Sequence, residues 1–557
     1  MTTTRWDRPP AGREPAAAAL LAWLADPAAP RMCLVTGSTG CGKSTLLAWL
    51  VAHGTRPRTP QERRIHAVAP LHGLGVRGAV WNLSNQLGVV ARAPAELVAA
   101  LATDHRPITV VLPDLQDAAD ALLLADMADL LARLEHVRVI VEASASSPAA
   151  ARLTSGAPAV MNLDHDQWTD PERLAAWQAT HAEPVPLHTL DPAPAVNLDE
   201  PEEVCLGDPS TVTACYESSE DQHGGLRAAW LRAGQALLRE PQPSARALTL
   251  LSALGDSADP RLKQPLTALA AGSDWSLVWN RVTGDIRPPW PGPALALAAG
   301  NDALAGTVLT ADHRGVVRII GADSARASGR LPRPFAQTQA LAALPDGTVL
   351  ALDSLGRLSW QHSPAVRKPS GISALLDDGP TPVEQLIDTM SNHLAQVSGS
   401  SLTATARVLA AADDAGTVHA ATLHQPTARP HTTALHTGPV TALAALDLDA
   451  SDDGKPLALL YSGGADGRVR AWSPGHPALT PPVTQRPVPV TALAAANTDN
   501  GPVLAVGWAD GLVEHHTWNQ AAVRTFSPGP PVRSLAATAN GDLVVGCDDM
   551  LVCLRPR

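Results

Sequence analysis

Three patterns of apolar and polar positions succeed one another along the chain. In residues 1–163, short apolar runs alternate with stretches of helical period. Runs at 32–36, 65–69, 107–112, 137–141 and 159–163 read as strands, and stretches at 16–26, 44–53, 77–87 and 118–134 read as helices. This alternation predicts an α/β domain: a parallel sheet covered by helices, with right-handed crossovers and a ligand site at the carboxyl ends of the strands. In residues 164–271 the strand pattern ceases. Helical patterns cover 170–181, 225–239 and 244–254, and a Pro- and acid-rich loop at 183–208 separates the first two. A small helical subdomain is expected there. In residues 272–557 short apolar strands are punctuated by Gly, Pro and Asp, the pattern of an all-β domain.

Two elements recur in this last region, always in the same order. One is a strand rich in small residues, at 294–298, 339–343, 371–375, 440–445, 490–495 and 532–537. The other is a turn followed by a strand, with turn glycines Gly315, Gly356, Gly416, Gly467 and Gly511. A repeat of about 40–45 residues with four strands each is the signature of a β-propeller. The long interval from Gly356 to Gly416 implies an insertion. Six first strands are visible. The stretch 266–270 offers a seventh, with too little chain after it for a whole blade. Alternatively, 277–282 completes the blade begun at Val532 and closes the ring. Six and seven blades both fit, and an irregular pair of β-sandwiches is the competing fold.

The run Gly463-Gly464-Ala465-Asp466-Gly467-Arg468-Val469-Arg470-Ala471-Trp472 resembles the Trp-ending strand of the WD-repeat propellers, and 273–279 resembles it more loosely. The Gly-His dipeptide and the closing Trp-Asp of that family are missing. The resemblance implies broad, rigid faces for binding protein partners. No Ser/His/acid or metal-ligand constellation is legible in this region. His515 and His516, adjacent on a strand, are expected to point to opposite faces. A hydrolytic site on the propeller therefore lacks its machinery.

At 557 residues the chain exceeds one domain. Its net charge of -12 and the lack of any Lys/Arg-rich block argue against a nucleic-acid partner. The first residues do not form a signal peptide, and the apolar stretch at 16–24 is too short to span a bilayer, so a cytoplasmic protein without membrane contact is expected. Cys33, Cys41, Cys205, Cys215, Cys547 and Cys553 are scattered without a C-x-x-C pair, which argues against a metal site of their own.

The densest chemical signal is Gly37-Ser38-Thr39-Gly40-Cys41-Gly42-Lys43-Ser44, which fits G-x-x-x-x-G-K-[ST] between a strand and a helix. That context aims backbone N–H groups and a helix N-terminus at a triphosphate. Lys43 is expected to reach the β- and γ-phosphates and Ser44 to ligate Mg2+, with Thr45 next in the helix. Cys41 reads either as a redox-sensitive thiol or simply as a small residue the loop tolerates. The strand at 108–112 runs into Asp114 and Asp117. Asp114 is the candidate metal-side carboxylate, with capping of the following helix as its alternative role. Asp117 is the candidate for orienting an attacking water, or else a cap for the following helix. After the 137–141 strand, Glu142 or Ser144 is the candidate for facing the γ-phosphate. The guanine-specific Asn/Thr-Lys-x-Asp motif is absent, so ATP is favoured over GTP.

Residues 10–260 resemble the STAND branch of P-loop ATPases, relatives of the AAA+ group. Gly12-Arg13-Glu14, followed by a helix bearing Trp23-Leu24, is similar to the segment that precedes the P-loop there and packs near adenine. His223-Gly224-Gly225-Leu226-Arg227 is similar to the Gly-Gly-Leu-Pro segment of the helical lid, with Arg227 at the position of the proline. Arg227 reads either as a phosphate contact or as a surface residue of an amphipathic helix. The resemblance implies a nucleotide-dependent signalling switch: ATP and Mg2+ as cofactors, slow hydrolysis, and a repeat domain that recognises a protein partner. No effector segment precedes Gly12, so output through a separate protein or through nucleotide-dependent homo-oligomerisation is expected. The acidic motif departs from that family's two acids flanking small residues, since Pro113 and Gln116 occupy neighbouring positions here, and this leaves a second reading open, a scaffold that binds ATP without hydrolysing it.

Overall fold

The computed structural model describes residues 7–104, 106–180, 196–282, 294–364, 380–449, 456–518 and 522–557. The chain divides into two compact units, one of residues 1–198 and 207–220, the other of 199–206 and 221–557.

In the first unit the elements run α1 (Glu14–Ala25), β1 (Met32–Thr36), α2 (Lys43–Gly54), β2 (Ala67–Val68), α3 (Val76–Leu87), α4 (Pro94–Ala102), β3 (Ile108–Leu112), α5 (Ala121–Ala132), β4 (Val137–Glu142), α6 (Pro148–Thr154), β5 (Ala159–Asn162) and α7 (Pro171–Thr180). The five strands form a parallel sheet in the order β2-β3-β4-β1-β5. Every residue of β1, β3 and β4 is buried, because helices cover both faces. Alternation along β1 divides the core. Met32 and Leu34 join the cluster formed by α3, α4, α5 and α6, whereas Cys33 and Val35 join the cluster formed by α1 and α2. The chain leaves β1 toward β2 at one edge, and leaves β4 toward β5 at the other. Neighbouring strands that send their crossovers in opposite directions leave a crevice at their carboxyl ends, where open α/β sheets take ligands.

Helices α4 and α6 are not anticipated by the apolar pattern. Both begin on a proline, Pro94 and Pro148, and the Ser147 hydroxyl caps α6 by accepting from the Ala150 N–H at 3.1 Å. Two further short helices, α8 (Pro201–Leu206) and α9 (Pro209–Ser218), follow. Helix α8 lies inside the stretch 183–208 that the sequence pattern assigns to a loop; residues 183–195 of that stretch lie outside the described residues.

The second unit takes in α8 and continues with α10 (Leu226–Arg239), α11 (Pro243–Ala253) and α12 (Lys263–Leu269), then β6 (Trp275–Val282). The stretch 266–270 is therefore mostly helical and starts no blade. Six antiparallel sheets follow. Their first strands are Ala296–Ala299, Thr338–Ala343, Gly399–Ala404, Val440–Leu448, Val490–Thr498 and Val532–Ala537, and each contacts the next round a closed ring. Strand β6 pairs antiparallel with Met550–Pro556 and completes the last sheet, so the C-terminal region is a six-bladed β-propeller sealed by a strand from its own N-terminal side. The second sheet has three strands among the described residues. The first-strand assignment at 371–375 lies outside the described residues. The strand that fills the inner position of the third blade, Gly399–Ala404, was not recognised in the sequence.

All five turn glycines have positive φ, from 71° at Gly467 to 89° at Gly416, and each joins the second strand of a blade to the third. A Cβ at Gly315, Gly356, Gly416 or Gly467 would also stand within 2.3 Å of backbone in the segment entering the next blade. An aspartate stands three residues before Gly315, Gly356 and Gly416, and directly before Gly467 and Gly511. Asp312 Oδ1, for instance, accepts from the N–H groups of Arg314 and Val316 at 2.8 and 3.1 Å, and Asp413 Oδ1 accepts from those of Ala415 and Thr417. The insertion between Gly356 and Gly416 contains α13 (Pro382–Leu394), opened by a capping box of Thr381 and Glu384. Leu386, Ile387, Met390 and Leu394 of α13 are buried against Leu350, Leu352, Leu402 and Leu409 of blades two and three.

Candidate functional site

At the carboxyl edge of the parallel sheet, β1 leads into the loop 37–42 and then α2. Gly37, Gly40 and Gly42 have φ of 143°, 81° and 91°, a backbone that L side chains rarely adopt. A Cβ at Gly37 would lie 2.6 Å from the Cys41 sulfur, and none of the surrounding atoms lies within 4 Å of a Cβ at Gly40. Gly42 is the N-cap of α2, so the unpaired N–H groups of that helix's first turn face the loop. Ser38, Thr39, Gly40, Ser44 and Thr45 are exposed, while Gly37 and Lys43 are buried. The Lys43 ammonium folds back under the loop, donating to the carbonyls of Gly37 at 3.1 Å and Ser38 at 3.0 Å.

Two side chains brace the loop from outside the motif. Arg13, only 8% exposed, donates to the Cys41 carbonyl, to the Leu163 carbonyl at 3.0 Å and to the Thr169 hydroxyl at 2.6 Å. Its neighbour Gly12 has φ of 68°, and a Cβ there would stand 2.5 Å from the Asp170 carbonyl, so the 12–13 segment is seated tightly against the start of α7. Asp164, just past β5, accepts from the Ser38 N–H at 2.9 Å and from its hydroxyl at 2.7 Å, and these bonds hold its carboxyl below the usual range. The sequence signal for Arg13 is its place in the Gly12-Arg13-Glu14 segment. For Asp164 there is none, because only the pairing of β5 with β1 brings it to the loop.

The acids gather on the same edge. Val35 pairs with Glu142, and Leu112 with Val141, which places Glu142 beside the segment that follows β3. Glu142 is 1% exposed, and its Oε1 accepts from the Ser44 hydroxyl at 2.8 Å. Its Oε2 is buried without a hydrogen-bond partner. Burial pushes the Glu142 carboxyl up; the Ser44 hydrogen bond and Lys43 oppose this, and Asp114 adds to it. Asp114 is half-buried at φ of 58°, and burial together with the Asp117 charge raises its carboxyl, against the pull of His72 and Lys43. Asp117 is exposed and accepts from the Gln116 side-chain amide at 2.7 Å; the N-cap of α5 is Asp120, so Asp117 does not cap that helix. Of the two candidates after β4, Glu142 reaches the loop. Ser144 instead donates its N–H to Gln116 at 3.1 Å and pairs its hydroxyl with Ser146 at 3.2 Å. Arg227 lies on the first turn of α10, in the second unit.

The propeller does contain a Ser/His/acid grouping, contrary to the sequence expectation. His436 Nδ1 lies 2.9 Å from Asp466, and its Nε2 2.9 Å from the Ser462 hydroxyl. The His436 side chain and Ser462 are 0% exposed, so no substrate reaches the hydroxyl, and the trio ties the entry to a blade to its second-to-third turn. His515 and His516 do face opposite ways. His515 is buried against Trp275, and His516 pairs with Glu514 at 3.2 Å. Among the described residues no group of three or more His, Cys, Asp and Glu side chains is placed to hold a metal ion, and no helix is long and apolar enough to cross a membrane.

No protein-family model and no curated protein matches the chain. A similar solved structure is that of the RRP9 WD40 repeats, which aligns with 51% of this chain and 100% of its own, at 12% identity and a TM-score of 0.33.

Proposed function

We propose that the first unit binds ATP with Mg2+ at the loop 37–45, and that nucleotide state governs how the protein engages a protein partner through its propeller. The observation that carries this reading is the loop itself. Three left-handed glycines open the backbone toward the N-terminus of α2, beside a buried lysine, at the switch point between β1 and β4. The residues fit the group: the loop has no side chain where phosphate oxygens would approach at Gly40, Ser44 offers a hydroxyl, and two carboxylates lie near it. Lys43 would hold the phosphates, Ser44 and Asp114 the cation, and Arg13 keeps the loop in shape through the Cys41 carbonyl. Bound Mg2+ would neutralise phosphate charge, and the loop N–H groups would orient the chain of phosphates.

A scaffold that binds ATP and turns it over negligibly is the second reading. It is favoured by Asp117, whose carboxylate is engaged by Gln116 in an exposed turn rather than held in the crevice. The broad faces of a propeller suit protein recognition under either reading. The test is ATP binding and turnover by the purified protein beside Lys43→Ala. Binding that falls by a factor on the order of 100 in the variant is expected; equal binding by both proteins excludes this loop as the site. Turnover by the wild type that is lost in Asp114→Ala separates the switch from the scaffold.

A further inference from the structure

We infer that Glu142 is the residue that positions the nucleotide's divalent cation, by accepting the Ser44 hydroxyl hydrogen so that the oxygen lone pairs turn to the cation, and by placing a negative charge beside it. This rests on the nucleotide-binding reading above. The motif-based expectation assigns the metal-side charge to Asp114, just past the end of β3, the strand on the far side of β4. In the structure the acid that touches the loop's serine is on β4 itself, next to β1, with a 2.8 Å contact to Ser44 Oγ.

Three features separate Glu142 from an acid that merely fills space. It is 1% exposed, yet only one of its oxygens has a hydrogen-bond partner; Oε2 is an orphan in the interior. An unpaired buried carboxylate oxygen is costly, and a divalent cation with its waters removes that cost. The groups that most offset its charge, the Ser44 hydroxyl and then Lys43, belong to the loop itself; the Asp114 carboxylate adds like charge, against a smaller favourable pull from the Asp114 backbone. With both carboxylates ionised, Glu142 and Asp114 outweigh Lys43 by one negative charge, which a nucleotide's divalent cation matches. Finally, a serine hydroxyl has one hydrogen. Donating it to Glu142 fixes which way the lone pairs point.

The experiment is a titration of the full-length protein with a fluorescent ATP analogue, once in EDTA and once in Mg2+. Mn2+ binding is followed by electron paramagnetic resonance in parallel. Glu142→Gln keeps the shape and the acceptor but removes the charge. With a negative charge beside the phosphates removed, it is expected to bind nucleotide in EDTA no more weakly than the wild type, and to lose about 10–100-fold of the affinity gained from the cation, with matching loss of bound Mn2+. The same cation dependence in Glu142→Gln as in the wild type overturns the inference. Should that variant unfold, Glu142→Asp, which keeps the charge but draws it back from the Ser44 hydroxyl, takes its place: a weakened cation dependence supports the inference, and an unchanged one overturns it. Failure of the wild type to bind nucleotide in either condition is a different result, seen without any substitution, and defeats the nucleotide reading itself.

Discussion

His515 stands edge-on to Trp275, with ring centroids 5.2 Å apart, and its Nδ1 is buried without a hydrogen-bond partner. Burial, with the positive charges of Arg524 and His516 nearby, depresses its pKa from its ordinary 6.5 to about 4. The folded state therefore binds fewer protons than the unfolded chain between those two values. The stability this represents is complete above about pH 6.5 and is lost as pH falls toward 4, a change of roughly 3 kcal/mol. Urea unfolding at pH 7 and at pH 4.5 is expected to show this loss in the wild type and a shallower one in His515→Phe; equal slopes in the two proteins would refute it. At the same scale, the loop's demands were readable in the sequence, since only glycine tolerates φ of 143° with a sulfur 2.6 Å from where a Cβ would be. The role of Glu142 was not. In the sequence it is one of two polar residues at a strand end, and nothing there says that β4 lies against β1.

Helix α13 shows how an element can be hidden by its neighbours. Its capping box and its apolar spacing, Leu386, Ile387, Met390 and Leu394, are both present in the sequence. The sequence reading nevertheless sees only an insertion within a region of strands. The helix is held by burial between two blades, each large apolar side chain contributing about 1.5–3 kcal/mol. Met390→Ala is expected to cost about 2–5 kcal/mol in denaturant unfolding, because Met390 is 0% exposed within a packed cluster. A cost under about 0.5 kcal/mol, the range of surface substitutions, would mean the helix is not docked there. The short helices α4 and α6 escape the apolar pattern for a different reason. In a chain so rich in alanine the buried and exposed faces of a short helix differ little, as in Pro-Ala-Glu-Leu-Val-Ala-Ala-Leu-Ala. By contrast β3 and β4, all apolar through five and six buried positions apart from Thr109, Arg138 and Glu142, were plain from sequence.

At the scale of the whole propeller, closure depends on β6, which supplies the outermost strand of the last blade. Trp279 sits at that seam. Its indole N–H donates to the Ala322 carbonyl at 2.8 Å, and its ring packs with Leu297, Val308 and Ile320 of the first blade and with Ala536 and Val544 of the last. Trp279→Ala is expected to destabilise the second unit by about 3–5 kcal/mol and to bring proteolysis to the closing strand first, read by limited digestion and mass spectrometry. Digestion that begins elsewhere, with unchanged thermal stability, would show that the seam is not what closes the ring. Within the same unit, helices α10 and α11 are tied to the propeller. Arg239 pairs with Asp510 at 3.3 Å, and the Asn280 amide donates to the carbonyls of Ser252 and Leu254 at 2.9 and 2.8 Å.

The local requirements of this protein lie in its sequence. Period separates the α/β region from the β region, glycines and aspartates set the turns between second and third strands, and the spacing of Gly37, Gly42, Lys43 and Ser44 marks the candidate site. These are short-range constraints of backbone sterics and alternation, and neighbouring residues express them without help. Tertiary structure alone decided the rest. That the ring has six blades followed from the pairing of β6 with Met550–Pro556 at the far end of the chain, and the buried meeting of Ser462, His436 and Asp466 followed from the approach of separate strands and loops. Likewise Glu142 and Asp164 converge on one loop because β4 and β5 flank β1 in the sheet. Strand order is set by which faces can be buried together across the whole sheet, a sum over distant residues that no local stretch of the chain displays.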